Sequence, residues 1–436
     1  MKGRHREYKL KKELTLFNTV LLGIGIILGA GIYALIGVGA GIAGNMLWLS
    51  FVIAGIIAIF TGLSYAELSS VFTKEAAEYN YTKRAFGREW LSFIVGWVLV
   101  AAGVISAATV AIGFAGYFTH IFGGSVNVVA AVLVIVLSFL NYGGIKNSAR
   151  FNNMASIIEI LGLLLVIILG VVFFGNSSNT NFFQMPEIGF AGIFSAVAVI
   201  FFAYIGFEGI VNLSEEVKNA KKIVPKALVI SLVISTVLYI LVSISAIGMV
   251  GADKLASSKA PLTEAVAHAF PGAGLLMSII ALFATGNTVL IIMIVTSRIF
   301  YGISNQHSLP SACSIVGRTG TPYISVILIG IVTTVFAFLG DLKLVASMTD
   351  LAIFIAYFFV NLALIKLRYT KGFFSHFRGP SIGRFPVLAF LGLITSFLMF
   401  LYFDFFVWLI TLGIIGVGLL IFGLVKLVQY LTKKSF

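Results

Sequence analysis

Long apolar runs separated by short polar segments repeat along this chain from one end to the other. A run of about 18 or more apolar residues is long enough for a helix to cross a bilayer. The pattern predicts twelve such helices, at 15–43, 46–70, 91–119, 125–141, 150–174, 189–213, 226–250, 274–302, 322–340, 344–366, 385–402 and 405–430. We therefore expect an all-α polytopic membrane protein.

The first run is unusual for its closely spaced glycines: residues 23–31 read GIGIILGAG. Glycine costs about 1 kcal/mol relative to alanine inside a helix, so this spacing favours a helix that breaks. In lipid, a break is tolerated only where the freed backbone groups face protein, a cavity or a ligand. Freed N–H groups suit a carboxylate and freed carbonyls an ammonium, so a small zwitterion fits. The alternative is close helix packing, which the spacing of Gly25 and Gly29 also allows.

A second interrupted run lies in the sixth predicted helix, where residues 201–209 read FFAYIGFEG. Helices one and six are five spans apart and so enter the membrane from opposite sides. Paired interruptions at matching places in two halves of a chain indicate a transporter binding site. This correspondence favours the binding interpretation of the first break over packing alone.

The chain has a net charge of +13, and its basic residues are distributed unevenly across the predicted membrane. Of the 29 lysines and arginines, 26 fall on one side of the predicted membrane, leaving Lys254, Lys259 and Lys343 on the other. The positive side of a membrane protein is cytoplasmic, so both termini are expected there. The partners of these charges are expected to be anionic lipid headgroups, and no nucleic-acid binding is expected.

Three acids in apolar surroundings are candidates for function. Glu159 in helix five lies about 13 Å into the bilayer from Arg150 by helical rise. It is either a neutral, hydrogen-bonded acid or a site for a proton or cation. Glu67, at the end of helix two, is a gating residue or an interfacial carboxylate, and Glu208 beside the second break is a further gating candidate.

Enzyme chemistry is not expected from this sequence. It contains no phosphate-binding loop, no HExxH zinc pattern and no nucleophile elbow. Its one cysteine, Cys313, allows no disulfide framework and has no metal-site spacing. We expect neither a metal nor an organic cofactor.

Several motifs together resemble the amino acid–polyamine–organocation superfamily of permeases, nearest its prokaryotic cationic-amino-acid-transporter-like branch. They cover residues 14–325 and read GIGIILGAGIY (23–33), SYAELSS (64–70), NSARFN (147–152), FFAYIGFE (201–208), EEVKNAKKIVPKA (215–227) and SRIFYGIS (297–304). The resemblance implies a five-plus-five inverted repeat with broken helices 1 and 6, plus two C-terminal helices. It divides the chain into a basic cytoplasmic tail (1–13), two repeats (14–174 and 175–370) and the last two helices with the C-terminus (371–436).

The resemblance also assigns roles around the two breaks. Backbone N–H groups near Gly31 would bind a substrate carboxylate. Carbonyls of Ile27, Phe202 and Ile205 would bind its ammonium, and Phe202 would also be an aromatic gate. The full set assigned to the substrate is Ile27, Gly29, Ala30, Gly31, Phe202, Ala203, Ile205 and Gly206.

The sequence departs from the family pattern at two places. Residues 73–77 read TKEAA where relatives commonly carry a Pro-x-Ser-Gly-Gly segment. Glu159 stands where proton-coupled relatives place a lysine. We expect Glu159 to take up a proton as the coupling ion. The alternatives are a sodium ion held with carbonyls of Gly25 and Leu28 and the side chain of Asn287, or contact with a cationic substrate.

The expectation is a secondary active amino acid transporter of the plasma membrane that works by alternating access, with the proton favoured over sodium. Exchange, transport of polyamines, a channel and a sensor that does not transport are the alternatives. Helices eleven and twelve are either scaffold or the surface of a homodimer.

Overall fold

The computed structural model describes residues 10–173, 180–258, 260–338 and 342–434. These ranges are helical, with no β-strand beyond two isolated bridges. The α-helices are α1 (Leu16–Ala43), α2 (Leu47–Ser69), α3 (Ala77–Phe86), α4 (Glu89–Phe122), α5 (Val126–Tyr142), α6 (Ile145–Phe173), α7 (Phe190–Ile200), α8 (Ala220–Val250), α9 (Ala252–Ser257), α10 (Pro261–Ala269), α11 (Ala273–Asn305), α12 (Tyr323–Ala337), α13 (Leu342–Arg368), α14 (Val387–Met399) and α15 (Phe405–Lys434). The all-α class is confirmed.

The apolar helices coincide with the twelve predicted runs. Nine helical segments in the described ranges are long and apolar enough to cross a membrane, and three shorter apolar helices accompany them. The shorter ones are α5, α12 and the segment Val387–Tyr402. The chain is therefore a multi-pass membrane protein. The pattern of long runs did not predict α3, α9 and α10, which are short and lie in the connections.

The first helix is interrupted, as the glycine spacing predicts. Thr15 begins α1 by accepting a hydrogen bond from the backbone N–H of Asn18. At Gly29 the backbone leaves the helical region, with φ −15° and ψ −132°. α1 packs against α6, α8 and α11, and residues 21–29 and 31–33 are buried, so the interruption lies inside the helix bundle rather than against lipid.

The sixth span is interrupted as well. After α7 the chain forms a 3-10 turn, Phe201–Tyr204, then an extended residue, Ile205, and then a second 3-10 segment, Phe207–Glu216. Gly206 between them has φ 118°, a conformation that favours glycine because it has no Cβ. The chain therefore has two unwound points, one at Gly29 and one at Ile205 and Gly206.

The start of α1 is joined by backbone hydrogen bonds to the end of the second 3-10 segment. The N–H of Leu14 donates to the carbonyl of Glu216 at 3.0 Å, and the N–H of Lys218 donates to the carbonyl of Leu14 at 2.9 Å. These bonds link the half of α1 before its break to the half of the sixth span after its break, about 200 residues away in sequence.

Candidate functional site

The two breaks touch each other. A Cβ added to Gly31 would lie 2.6 Å from the Cβ of Ala203, which is closer than real Cβ contacts. A Cβ on Gly206 would lie 2.7 Å from the Cγ1 of Ile26. Glycine is needed at both positions because the two backbone segments approach too closely to leave space for a side chain. The structure thus brings together Gly31, Ala203 and Gly206, three of the residues assigned to the substrate.

Other members of the assigned set lie nearby. A Cβ on Gly29 would overlap the hydroxyl of Thr288 on α11. Phe202 and Ile205 are half-buried, and the Phe202 carbonyl accepts a hydrogen bond from the N–H of Ile205 at 3.2 Å. Ala30 follows the break directly, and its side chain lies outside the described part of the chain.

Tyr239 of α8 links the two breaks and was not identified from the sequence. Its buried hydroxyl faces two backbone carbonyls, that of Ala203 at 2.7 Å and that of Ile27. A phenol has one proton to donate, so it satisfies one of these two carbonyls at a time. The ring packs against Tyr204 and Phe51, with centroids 5.2 and 5.3 Å away. Only its position, a lone aromatic in the middle of an apolar run, marks it in the sequence.

A small cavity of about 60 Å³ adjoins the breaks. It includes five residues of the assigned set and extends toward α4, α11 and α13. The lining is Ile26, Ile27, Gly31, Leu99, Ala102, Gly103, Ser106, Val110, Phe202, Ile205, Gly206, Glu208, Gly209, Thr288, Ile292, Val295, Thr296, Ile299, Thr349 and Ile353. A concave, mostly apolar space with a few polar groups is typical of small-molecule sites.

Glu208, the gating candidate beside the second break, is buried and fully engaged. Its carboxylate accepts hydrogen bonds from the N–H of Gly206 at 3.1 and 3.0 Å. It also accepts one from the hydroxyl of Tyr357 on α13 at 2.8 Å. The carboxylate therefore satisfies a backbone donor that the break leaves without a helical partner.

A cluster of polar side chains joins α1, α6 and α11 on the other side of the first break. The amide of Asn287 donates to Asn152 at 3.1 Å and to Ser156 at 3.3 Å. Thr288 donates to the carbonyl of Gly25 at 3.3 Å. Two residues of the predicted coupling set, Gly25 and Asn287, thus lie in one cluster, and the Asn287 Oδ1 is buried without a hydrogen-bond partner in the described ranges. Leu28, the fourth member of that set, is fully buried.

Glu159 lies one helical turn beyond Ser156 on α6. It is completely buried, and within the described ranges neither carboxyl oxygen has a hydrogen-bond partner. Its backbone carbonyl accepts from the hydroxyl of Tyr33 at 3.4 Å. An ionised carboxylate without a partner is very costly to bury, so this acid is stable only when neutral or when a cation joins it.

Glu67, the other gating candidate, forms a buried ion pair with Arg368 at the end of α13. The Nε of Arg368 donates to Glu67 Oε1 at 2.7 Å, and a second nitrogen donates to Oε2. The N–H of Gly379 donates to the same carboxylate at 3.0 Å. Glu67 therefore fastens the chain that follows α13 to the end of α2.

A further buried acid, Glu78 on α3, was not singled out from the sequence. Its carboxyl oxygens accept hydrogen bonds from the amide of Asn212 at 3.1 and 3.0 Å, and the N–H of Ala77 donates to Asn212 at 2.8 Å. Burial raises the pKa of Glu78 to about 7. This contact joins the segment between α2 and α4 to the unwound half of the sixth span.

Comparison with known proteins relates the chain to membrane transporters. Residues 14–425 match a family described as "Amino acid permease". The branched-chain amino acid permease BcaP of Bacillus subtilis is 32% identical over 410 residues, with 88% of this chain and 87% of the relative covered. The methylthioribose transporter of the same organism is 30% identical over 414 residues, covering 89% and 88%. The cationic amino acid transporter 3, mitochondrial, of Arabidopsis thaliana is 30% identical over 392 residues, covering 84% and 64%.

Proposed function

The chain belongs to the amino acid permease family, and we propose that it is a secondary active transporter that carries an amino acid by alternating access. Its family and relatives are membrane transporters rather than enzymes. The observation that carries the proposal is the contact of two unwound membrane segments at Gly31 and Ala203, beside a cavity. Unwound helix halves supply both the N–H and the carbonyl groups that an amino acid needs.

In this proposal the backbone near Gly31 binds the carboxylate of the substrate. The ammonium is bound by carbonyls of Ile27, Phe202 and Ile205. Support comes from Tyr239, whose hydroxyl faces the carbonyls of Ile27 and Ala203 but has only one proton to donate. One of these two carbonyls can therefore accept a hydrogen bond from the ammonium. Phe202, half-buried in the lining of the cavity, is placed to cover the bound molecule.

We further propose that α1–α6 and α7–α13 contain the two inverted repeats, with α14 and α15 outside them. The distribution of basic residues supports a cytoplasmic location of both termini in a plasma membrane. Opening toward each side in turn would then involve the two broken segments, since their backbones are not held by continuous helical bonding.

For coupling, we propose that Glu159 exchanges a proton during transport. Its buried, unpartnered carboxyl supports this role because a single proton makes it neutral. The amide nitrogen of Asn287 is bonded to other side chains, whereas its Oδ1 is buried and, within the described ranges, has no hydrogen-bond partner. We favour the proton because one proton neutralises Glu159 without any other ligand, and a sodium ion that also binds this Oδ1 is the alternative.

Transport is tested with the purified full chain in proteoliposomes loaded with an unlabelled mixture of amino acids. We expect saturable counterflow of labelled amino acid, which a carrier produces and a channel does not. Liposomes without protein are the control. Flux that does not saturate would indicate a channel, and binding without any flux would indicate a sensor; either result overturns the proposal.

Coupling is tested with Glu159→Gln in the same vesicles. We expect the variant to keep counterflow exchange but to lose the stimulation of uptake by an inward proton gradient. Asp350→Asn, which removes another buried acid on α13, is the matched control and should keep that stimulation. A Glu159→Gln variant with full dependence on pH and sodium would exclude Glu159 from coupling.

A further inference from the structure

We infer that the substrate of this site carries an uncharged aliphatic side chain, an inference that rests on the proposed transport function. The relatives differ in the substrates that their names state, so the side-chain class has to come from the cavity itself. The argument concerns the part of the cavity that lies beyond the two breaks, toward α4, α11 and α13.

The walls of this part are mostly hydrocarbon, with Ser106, Thr296 and Thr349 as polar members. α4 contributes Leu99 and Val110, α11 contributes Ile292 and Ile299, and α13 contributes Ile353. Burying apolar surface of a ligand against such walls contributes about 25 cal/mol per Å². An aliphatic side chain therefore gains free energy here, while a charged one loses its hydration and meets no compensating group.

Two threonines that line the cavity have their hydroxyls engaged with backbone. Thr296 donates to the carbonyl of Ile292 at 2.7 Å on its own helix. The hydroxyl of Thr288 has one proton, which the carbonyls of Ala284 at 3.0 Å and Gly25 at 3.3 Å share. These two hydroxyl protons are therefore already used, and neither threonine adds a free hydrogen-bond donor to the lining.

Among the described lining residues, Glu208 carries the one charge. Its oxygens already accept hydrogen bonds from Gly206 and Tyr357, which offset part of that charge, so a cationic side chain gains less here than beside a carboxylate without partners. Glu159 is not among the lining residues. A polyamine, with at least two ammonium groups, would meet the same single engaged carboxylate. Among the described residues, the lining contains no lysine, arginine or histidine, so an acidic side chain also lacks a charged partner.

Burial of an unpaired charge is far more costly than burial of a methyl group, and this difference decides the selectivity. A pocket that accepts one aliphatic side chain discriminates weakly against another that differs by a methylene, by about 10-fold to 200-fold. We therefore expect leucine, isoleucine and valine to share the site, and lysine, glutamate and putrescine to be excluded.

The test is competition in proteoliposomes that contain the full chain and are loaded with leucine. Uptake of labelled leucine should be inhibited by excess isoleucine or valine. Lysine, glutamate and putrescine at the same concentration should inhibit at least about tenfold less. Equal inhibition by lysine or putrescine would overturn the inference while leaving amino acid transport in place. If no labelled amino acid is exchanged at all, the proposed function itself fails.

A pair of variants tests the placement of the wall. Leu99→Asp introduces a carboxylate opposite the breaks, and Leu99→Asn has nearly the same shape without the charge. We expect the ratio of lysine to leucine inhibition to rise at least about tenfold in Leu99→Asp relative to Leu99→Asn. An equal ratio in the two variants would show that this wall does not face the substrate side chain. The competition with unmodified protein decides the inference if Leu99→Asp does not fold.

Discussion

The hydroxyl of Tyr239 lies 2.7 Å from the carbonyl oxygen of Ala203, at the point where the two interrupted membrane segments meet. The same hydroxyl also faces the carbonyl of Ile27 on the other segment. One proton thus serves two acceptors that in an unbroken helix would each have a backbone partner. The tyrosine from a third helix compensates for the break while the site contains no substrate.

Replacing this tyrosine is predicted to change ligand binding in a specific way. Tyr239→Phe leaves both carbonyls unpaired, at a cost of about 1–3 kcal/mol to the free energy of unfolding without substrate. A bound ammonium would replace the missing donor, so the stabilisation by leucine should be larger in the variant. Thermal unfolding with and without leucine measures this.

Tyr204→Phe is the matched control for that experiment. Tyr204 is equally buried and donates to the carbonyl of Phe51 at 2.8 Å, away from the breaks. Its loss should lower stability without enlarging the effect of leucine. If leucine stabilises Tyr239→Phe and the unmodified protein to the same extent, the two carbonyls that face Tyr239 do not bind the ammonium.

A methyl group at the contact between the breaks should abolish transport. Gly31→Ala would force the two segments apart because the new Cβ overlaps Ala203. Gly113→Ala on α4 is the control, since a Cβ there meets nothing within 4 Å. We expect Gly113→Ala to transport normally and to be as stable as the unmodified protein or up to about 1 kcal/mol more stable. Normal counterflow by Gly31→Ala would contradict the close contact.

The buried ion pair of Glu67 and Arg368 should be important for stability. Glu67→Gln leaves the guanidinium buried without its counter-charge, which costs about 3–5 kcal/mol. Lys146→Gln, which removes an exposed partner of Glu13 at 3.7 Å, should cost less than about 1 kcal/mol. Thermal unfolding of the two variants in detergent compares them. Similar unfolding temperatures would mean that the Glu67 pair contributes no more than a surface pair.

Stability near α3 should depend on pH through Glu78. Because burial raises its pKa to about 7, the folded chain holds this proton more tightly than the unfolded chain. The protonated Glu78 therefore contributes its full stabilisation below pH 4.5, the ordinary pKa of a glutamic acid, and this stabilisation is lost as the pH rises through about 7. Over this range the free energy of unfolding falls by about 3 kcal/mol. Tyr65, Tyr81 and Glu208 face the same carboxyl, and Asn212 bonds to it.

Glu78→Gln remains neutral at every pH and should remove this dependence. The measurement is the unfolding midpoint between pH 4.5 and 8 for the variant and the unmodified protein. Glu13→Gln, an acid at the surface, is the control and should keep the slope. A slope that persists in Glu78→Gln would assign the effect to another acid.

The breaks could be predicted from sequence because their cause is local. Four glycines between residues 23 and 31, and Gly206 beside a short apolar run, weaken helices at their own positions. The twelve apolar runs are local in the same sense, since hydrophobicity and length decide which segments enter lipid. The segment at 73–77 shows the limit of motif comparison: Ala76 has φ 50°, a conformation that favours glycine, although the sequence has alanine there.

The contacts that complete the site could not be predicted, because they join residues far apart in sequence. Tyr239 is 212 residues from Ile27, and Arg368 is 301 residues from Glu67. The alternative cation site would join Asn287 to Glu159, and the sequence did not indicate that the Asn287 amide nitrogen donates to Asn152 and Ser156. The acceptor to which a side-chain amide donates depends on how the helices rotate and pack. A single sequence does not specify this.

The hydrogen bonds between Leu14 and the chain at Glu216–Lys218 would have a kinetic consequence in the proposed transport cycle. They join the half of α1 before Gly29 to the half of the sixth span after Gly206. If these two halves move during transport, we expect the bonds to make them move together, in one concerted step. Such a concerted opening would have no half-open state through which ions could leak, so a driving gradient would not be dissipated without cargo.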